Sequence, residues 1–231
     1  MAYGDIQVTE PDSWPVSAIL AIRPDWILIS PEPDRHFRWR DLKSFPVSIA
    51  GLGPLGPAVM LATLKEHGVP TVQWNVLSLA RAQKLFLAHR LPLLLLPLLP
   101  AEELVSSGSA HIVQYVAAST GPMPIWVIKG LKEENRTFLA AINQGLTYIR
   151  THSANQIADL VRPDYPGVPP VALKAAIAEM QGLGVLPLST YLDPNTYQAG
   201  ADFLVNADVH WPDYSSAVDW HQARDALALA P

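Results

Sequence analysis

Apolar and polar positions follow two different rhythms along this chain, and the change from one to the other divides it. Between residues 45 and 118, short runs of β-forming residues are each followed by a segment with helical spacing. Residues 45–50 read as a strand, 51–57 as a turn and 58–67 as a helix, which Gly68, Val69 and Pro70 stop by a glycine followed by a proline. The pattern repeats: a strand at 71–76, a helix at 79–89 with Ser78 as its N-cap, and a strand at 91–96. A short helix at 101–106 and a strand at 111–118 follow. Such alternation with short links predicts a parallel sheet covered by helices over about residues 42–122.

On either side the character differs. Residues 19–29 are apolar but interrupted by Pro24, which predicts an extended segment with a break. Residues 31–35 then read as an exposed linker, stiffened by two prolines and kept in water by three charges. From Lys132 onward the spacing is helical. Phe138, Ile142, Leu146 and Ile149 form one stripe with Leu139 beside it, and Glu133 and Glu134 fall in the expected first turn. Ser153 to Gln156 form a capping-box pattern at the next helix. Pro169 and Pro170 precede another, with Leu173, Ile177 and Met180 on one face and Gly182 near its end. Asp193-Pro194 opens a fourth, aspartate as cap and proline at the first position. No period of 20 to 50 residues recurs, so a repeat array is not expected.

Composition narrows the functional classes. With 231 residues, 49% apolar and 16% charged, the chain can bury one large core or two smaller ones and is not disordered. A net charge of −5 without any basic run argues against nucleic acid and against a polybasic membrane patch. The absence of cysteine removes disulfides, thiolate metal sites and cysteine nucleophiles together, and no metal or cofactor is expected. The first residues lack the basic start and apolar core of a signal peptide. The aliphatic run 91–99 is about half the length of a membrane helix and holds Pro92 and Pro97, so it reads as a buried strand and turn.

No catalytic constellation emerges. There is no G-x-S-x-G elbow, and Ser48, Ser106, Ser107 and Ser109 sit in ordinary strand or loop contexts. The seven histidines never take a metal-binding spacing, and His67 and His89 fall near helix ends, where the dipole favours them. Glu32 and Asp34 belong to the linker, Glu102 and Glu103 to a first helical turn; solvation and the dipole account for both pairs. Gly51, Gly53 and Gly56 link a strand to a helix with dinucleotide-fingerprint spacing, yet the acidic residue that should follow about twenty positions later is missing. That turn reads equally as a plain tight turn or as a ligand contact. Trp14, beside Glu10, Pro11, Asp12 and Ser13, joins an aromatic face to polar groups, which suits a ligand cleft, or else packs in the core.

Taken in order, several segments resemble the solute-binding proteins of ABC importers, in the group that binds nitrate, sulfonates, taurine and thiamin precursors (the NMT1/THI5-like family). Tyr3 to Pro11 resembles the family's G-x-A-D-I-G…P-E segment, and Phe37 to Lys43 its F-x-W-x-D-L-K-G start of the second lobe. Val47 to Ala50, with the turn from Gly51 to Pro57, resembles its strand and ligand-side turn. Gly121 to Val127 resembles its return strand, and Thr151 to Ala158 is similar to its T-H-S-A-E-E-I-A. The matches run collinearly over almost the whole chain.

The resemblance implies an α/β, periplasmic-binding-protein-like (type II) fold of two lobes, closing on a small solute by a hinge. Residues 1–36 and 123–231 would form the first lobe, incomplete and mostly helical in its later part, and 37–122 the second. Glu10, Asp12, Ser13 and Trp14 would face the solute from one lobe, Gly51, Leu52, Gly53, Pro54 and Glu102 from the other, and Met123 would lie at the crossover. It also implies an ABC permease as partner and an extracytoplasmic location, although a cytoplasmic one stays open without a signal peptide. There are departures: the family's opening strands and its export signal are missing, and its G-x-x-D-A is replaced by Arg90 to Leu94, with loss of an aspartate. The related pyrimidine synthase needs a cysteine-rich motif that this chain lacks. Two alternatives stand beside transport. One is an enzyme of a vitamin or cofactor pathway on the same fold. The other is a truncated protein that binds nothing and forms a homodimer through an exposed sheet edge.

Overall fold

The computed structural model describes residues 2–5, 16–34, 36–51, 55–70, 72–116, 126–129, 136–205 and 213–228. Its strands are β1 (Ala2–Asp5), β2 (Val16–Ala21), β3 (Trp26–Ser30), β4 (Val47–Ala50), β5 (Trp74–Leu77), β6 (Leu93–Pro97), β7 (His111–Tyr115) and β8 (Trp126–Lys129). Its helices are α1 (Leu55–Glu66), α2 (Leu79–Leu87), α3 (Leu98–Ser106), α4 (Arg136–Thr151) and α5 (Ala154–Val161). They continue with α6 (Pro170–Gly182), α7 (Pro194–Val205), α8 (Tyr214–Ala217) and α9 (His221–Leu227). The chain divides into two compact units. One comprises Met1–Pro24, Gly121–Ser153 and Met180–Pro231, the other Asp25–Thr120 and Ala154–Glu179. Residues 25–36 and 154–179, placed above with the first lobe, belong to this second unit.

The first unit is built on an antiparallel sheet in the order β1-β8-β2. Adjacent residues of β8 point to opposite faces, and each face has its own cover. Ile128 joins Ala18, Leu139, Ala223 and Ala226 on one side, while Val127 joins Val16, Ile19, Leu192, Tyr197 and Val218 on the other. The stripe expected on α4 is rotated. Phe138 is exposed, and the buried face runs through Leu139, Ala140, Asn143 and Leu146. Asn143 belongs inside because its Oδ1 accepts the Thr190 backbone N–H at 2.8 Å. The aspartate cap of α7 forms as expected: Asp193 Oδ1 accepts the N–H groups of Asn195 and Thr196, each at 3.0 Å. Burial works to raise the Asp193 carboxyl, but hydrogen bonds from Thr196 and the loop backbone outweigh it and hold the carboxyl below its usual range.

In the second unit the strand order is β5-β4-β6-β3-β7. β4 runs parallel to β5 and β6, as the alternation predicts. The sheet is mixed, however, because β3 enters antiparallel between β6 and β7. The break around Pro24 lets this happen, since the apolar run before and after it becomes two strands in two different sheets. β3, β4 and β6 are buried almost throughout, so they carry continuous apolar runs with no alternation to reveal a direction. Helices α1 and α2 pack on β4, and α3 on β3 and β6. α1 stops at Gly68, whose φ of 64° is the left-handed conformation that glycine adopts without strain.

Candidate functional site

In open α/β sheets, ligands gather outside the carboxyl ends of parallel strands, where the following helices begin. In the second unit that edge is formed by Gly51 after β4, Ser78 after β5 and Leu98 after β6. The Gly51 N–H donates to the Leu77 carbonyl at 3.2 Å, which ties two of these ends together. Trp26 starts β3 opposite Pro97, so the antiparallel register brings an indole to the same edge.

Trp26 explains much of the glycine pattern. A Cβ on Gly51 would approach its Cη2 to 3.0 Å, and one on Gly56 would come within 2.0 Å of Cη2 and 2.3 Å of Cζ3. These glycines let the first turn of α1 lie against the ring, so close packing is a full reason for their presence there.

Asp25 lies at this edge beside Trp26, its backbone carbonyl accepting the Leu98 N–H at 2.7 Å, but the helix starts themselves carry no carboxylate. None of α1, α2 and α3 has an acidic residue in its first turn. Ser78 precedes α2 but makes no side-chain cap bond, contrary to its expected role; it acts through its carbonyl, which accepts the Ala82 N–H at 2.9 Å. Pro97 precedes α3 and likewise makes no side-chain cap bond. Helix amino ends carry partial positive charge and N–H groups free of intrahelical partners. Such groups are fewer here at α1 and α3, because Pro57 and Pro100 bring none and the Leu98 N–H already donates to the Asp25 carbonyl. Arg81, exposed in the first turn of α2, adds a full positive charge. This arrangement favours a small anion or a polar acceptor group.

Of the expected site residues, Gly51 lies on this edge. Leu52, Gly53, Pro54, Glu10, Asp12, Ser13, Trp14 and Met123 lie outside the described residues. Glu102 is placed differently from the expectation. α3 begins three residues early, with Pro100 accommodated in its first turn, so Glu102 falls in the second turn and is buried. Burial raises its carboxyl above the ordinary value, and the charge of Glu179 on α6 raises it further. Tyr115 on β7 belongs to the same group: burial first, then the charges of Glu179 and Glu102, push its phenol well above the usual range, and its hydroxyl shares a hydrogen bond with Glu179. Glu103, next in sequence, is half-exposed, so the adjacent pair does not act as one.

A buried carboxyl with a raised pKa weakens the fold as pH rises past its unfolded value of 4.5, because the native state then resists losing the proton. Glu102→Gln is therefore expected to be more stable than the parent at neutral pH, with the gain fading below pH 4.5. Denaturant unfolding on both sides of that value checks this; an equal effect at both would contradict it.

Trp26 and Arg81 were not singled out by sequence reasoning. The available signal for Trp26 was an aromatic residue just after the Pro24 break. For Arg81 it was a cation in the first turn of a helix, where the dipole disfavours one. His67 stacks on Trp39 with ring centroids 5.4 Å apart, and His89 takes a left-handed φ of 53° just after α2; both hold ends of helices. Among the described residues no group of three or more histidine, aspartate or glutamate side chains is placed to hold a metal ion. None of the described helices is long and apolar enough to cross a membrane.

No protein-family model matches the chain, and no curated protein matches it by sequence. Solved structures do match. The ligand-binding component of an ABC-type import system from Staphylococcus aureus, with zinc bound, aligns at TM-score 0.71 and 10% identity over 91% of this chain and 74% of that one. The alkanesulfonate-binding protein SsuA from Xanthomonas axonopodis pv. citri, bound to MOPS, aligns at TM-score 0.61 and 16% identity over 91% of this chain and 73% of that one. A variant of the desulfurization enzyme DSZB, in complex with biphenyl-2-sulfinic acid, aligns at TM-score 0.65 and 13% identity over 95% of this chain and 80% of that one. At such identities the likeness is one of fold. The chain has an α/β fold of the periplasmic-binding-protein type.

Proposed function

We propose that this chain is the solute-binding component of an ABC importer, of the kind that binds nitrate, sulfonates or related small solutes. The solute's anionic or strongly polar group would sit at the carboxyl edge of the second unit's sheet. The observation that carries this reading is the set of three helix amino ends on that edge, without a first-turn carboxylate and with Arg81 beside them. Leu52, Gly53 and Pro54 continue the chain from Gly51 and belong to the same proposal. Glu10, Asp12, Ser13, Trp14 and Met123 keep the ligand role that the family resemblance implies. Glu102 does not, because burial turns it toward Glu179 and Tyr115. An ABC permease partner and an extracytoplasmic location are parts of this reading, supported by two structural neighbours that are solute-binding proteins.

Thermal-shift and calorimetric titration with nitrate, taurine, alkanesulfonates, aromatic sulfinates and pyrimidines tests it. A ligand present at 100 times its Kd stabilises the folded chain by about 2.7 kcal/mol, a shift of several degrees. One anion should produce that shift, and Arg81→Glu should weaken its binding about tenfold. Absence of any stabilising anion, or equal stabilisation by uncharged analogues, would overturn the reading.

A second reading, an enzyme on the same fold, is favoured by Glu102 and Tyr115, two neighbouring groups that burial and the charge of Glu179 push upward, because such perturbed groups suit proton transfer. It predicts product formation that Glu102→Gln abolishes while solute binding persists.

A further inference from the structure

A hollow of about 460 Å³ opens at the other end of the second unit's sheet, where β3 ends and β4 and β6 begin. The register of β3 on β6 runs from Trp26 opposite Pro97 to Ile29 opposite Leu94. The hollow therefore lies roughly 13 Å along the strands from the Trp26 edge, and it is a separate place.

Its lining combines two chemistries. Phe37 and Phe45 supply an apolar wall, and Phe45 is 51% exposed in the hollow. Glu32, Asp34 and Asp41 stand with them, and Arg90 is the one arginine in the lining. Asp34 accepts the His36 backbone N–H at 3.0 Å and Asp41 the Arg38 backbone N–H at 2.8 Å. Among the described residues none of these three carboxylates forms an ion pair within 4.0 Å, although Arg90 lines the same hollow. Three carboxylates against one guanidinium and the single imidazole of His89 leave the lining net negative whether or not that imidazole carries a proton.

An apolar guest would cover the rings but would strip water from the carboxylates, which is costly without a compensating partner. A small inorganic cation would meet the charge and leave the rings in water. A guest with an apolar body and a positively charged head satisfies both, and the head can also rest on an aromatic face. The volume lies within the usual range for small-molecule sites. We propose that this hollow binds a small organic ammonium compound, an amine with an aromatic or aliphatic body. Its charge preference is opposite to that of the carboxyl edge, so it stands independently of the proposed transport role.

Titration of the full chain with phenethylammonium, phenethyl alcohol, phenylpropionate and an acetylated Gly-Lys-Gly amide tests the proposal, with the ring signals of Phe37 and Phe45 followed by NMR. The ammonium compound should shift both rings saturably and bind more tightly than the other three. Glu32→Gln and Asp34→Asn should each weaken it about fivefold at unchanged melting temperature, and Arg81→Glu should leave it unaltered. Equal binding of the alcohol would make the hollow merely apolar, and preference for the propionate would make Arg90 its dominant group. Tighter binding of the lysyl peptide would make it a docking surface for a protein, and no saturable shift would leave it without a guest. Each of these four results overturns the proposal.

Discussion

Gly56→Ala is expected to destabilise the second unit by about 3 kcal/mol, the upper part of the range for forcing extra volume into a packed core. The added methyl would lie 2.0 Å from one ring atom of Trp26 and 2.3 Å from another, and 3.1 Å from Ile49 Cγ2. The indole cannot yield as a long flexible side chain would, because it is buried and rigid, and Ile49 behind it is fully buried in β4. Relief must come from a shift of α1 or from an off-rotamer indole, and both disturb the carboxyl edge. Denaturant unfolding of the single variant measures the loss. Adding Trp26→Leu should recover part of it, since the smaller side chain vacates the space. Parent-like stability of Gly56→Ala, or no recovery in the double variant, would contradict the close packing described.

The second large effect is expected at Asn143, in the first unit. Asn143→Ala leaves the buried Thr190 N–H without its acceptor, a loss of about 2 kcal/mol. Among the described residues Asn143 Nδ2 and Thr190 Oγ1 are buried with no hydrogen-bond partner, so this spot has little capacity to absorb another orphan. Phe138→Ala, five residues earlier on the same helix, should cost less than about 1 kcal/mol because that ring is 37% exposed. The pair of measurements separates the observed face of α4 from the stripe of large apolar residues in the sequence. A larger loss at Phe138 than at Asn143 would restore the stripe.

These two residues also show where sequence reading succeeds and fails. β4 and the stop of α1 at Gly68 were legible, because strand propensity and a left-handed glycine act locally. The Pro24 break was legible too, but not its consequence. β3 is buried on both faces, and a run without alternation carries no sign of whether it will lie parallel or antiparallel. The face of α4 was misread because a polar Asn143 lies in its centre, held there by a backbone group 47 residues away. The glycines at 51 and 56 were legible as a turn, but their spacing could not reveal an indole from β3. Glu102 was read as solvated at a helix start, and only the neighbouring α6 and β7 make it a buried acid with a raised pKa. Trp14 and its polar neighbours lie outside the described residues.

The most direct measurement is a backbone-amide NMR map of the full chain titrated with an alkanesulfonate. Saturable shifts centred on Gly51, on Ser78 to Arg81 and on Leu98 and Leu99 would place a negatively charged guest where three helices present their amino ends. Saturable shifts that leave all three segments untouched, or none anywhere at millimolar sulfonate, would contradict it.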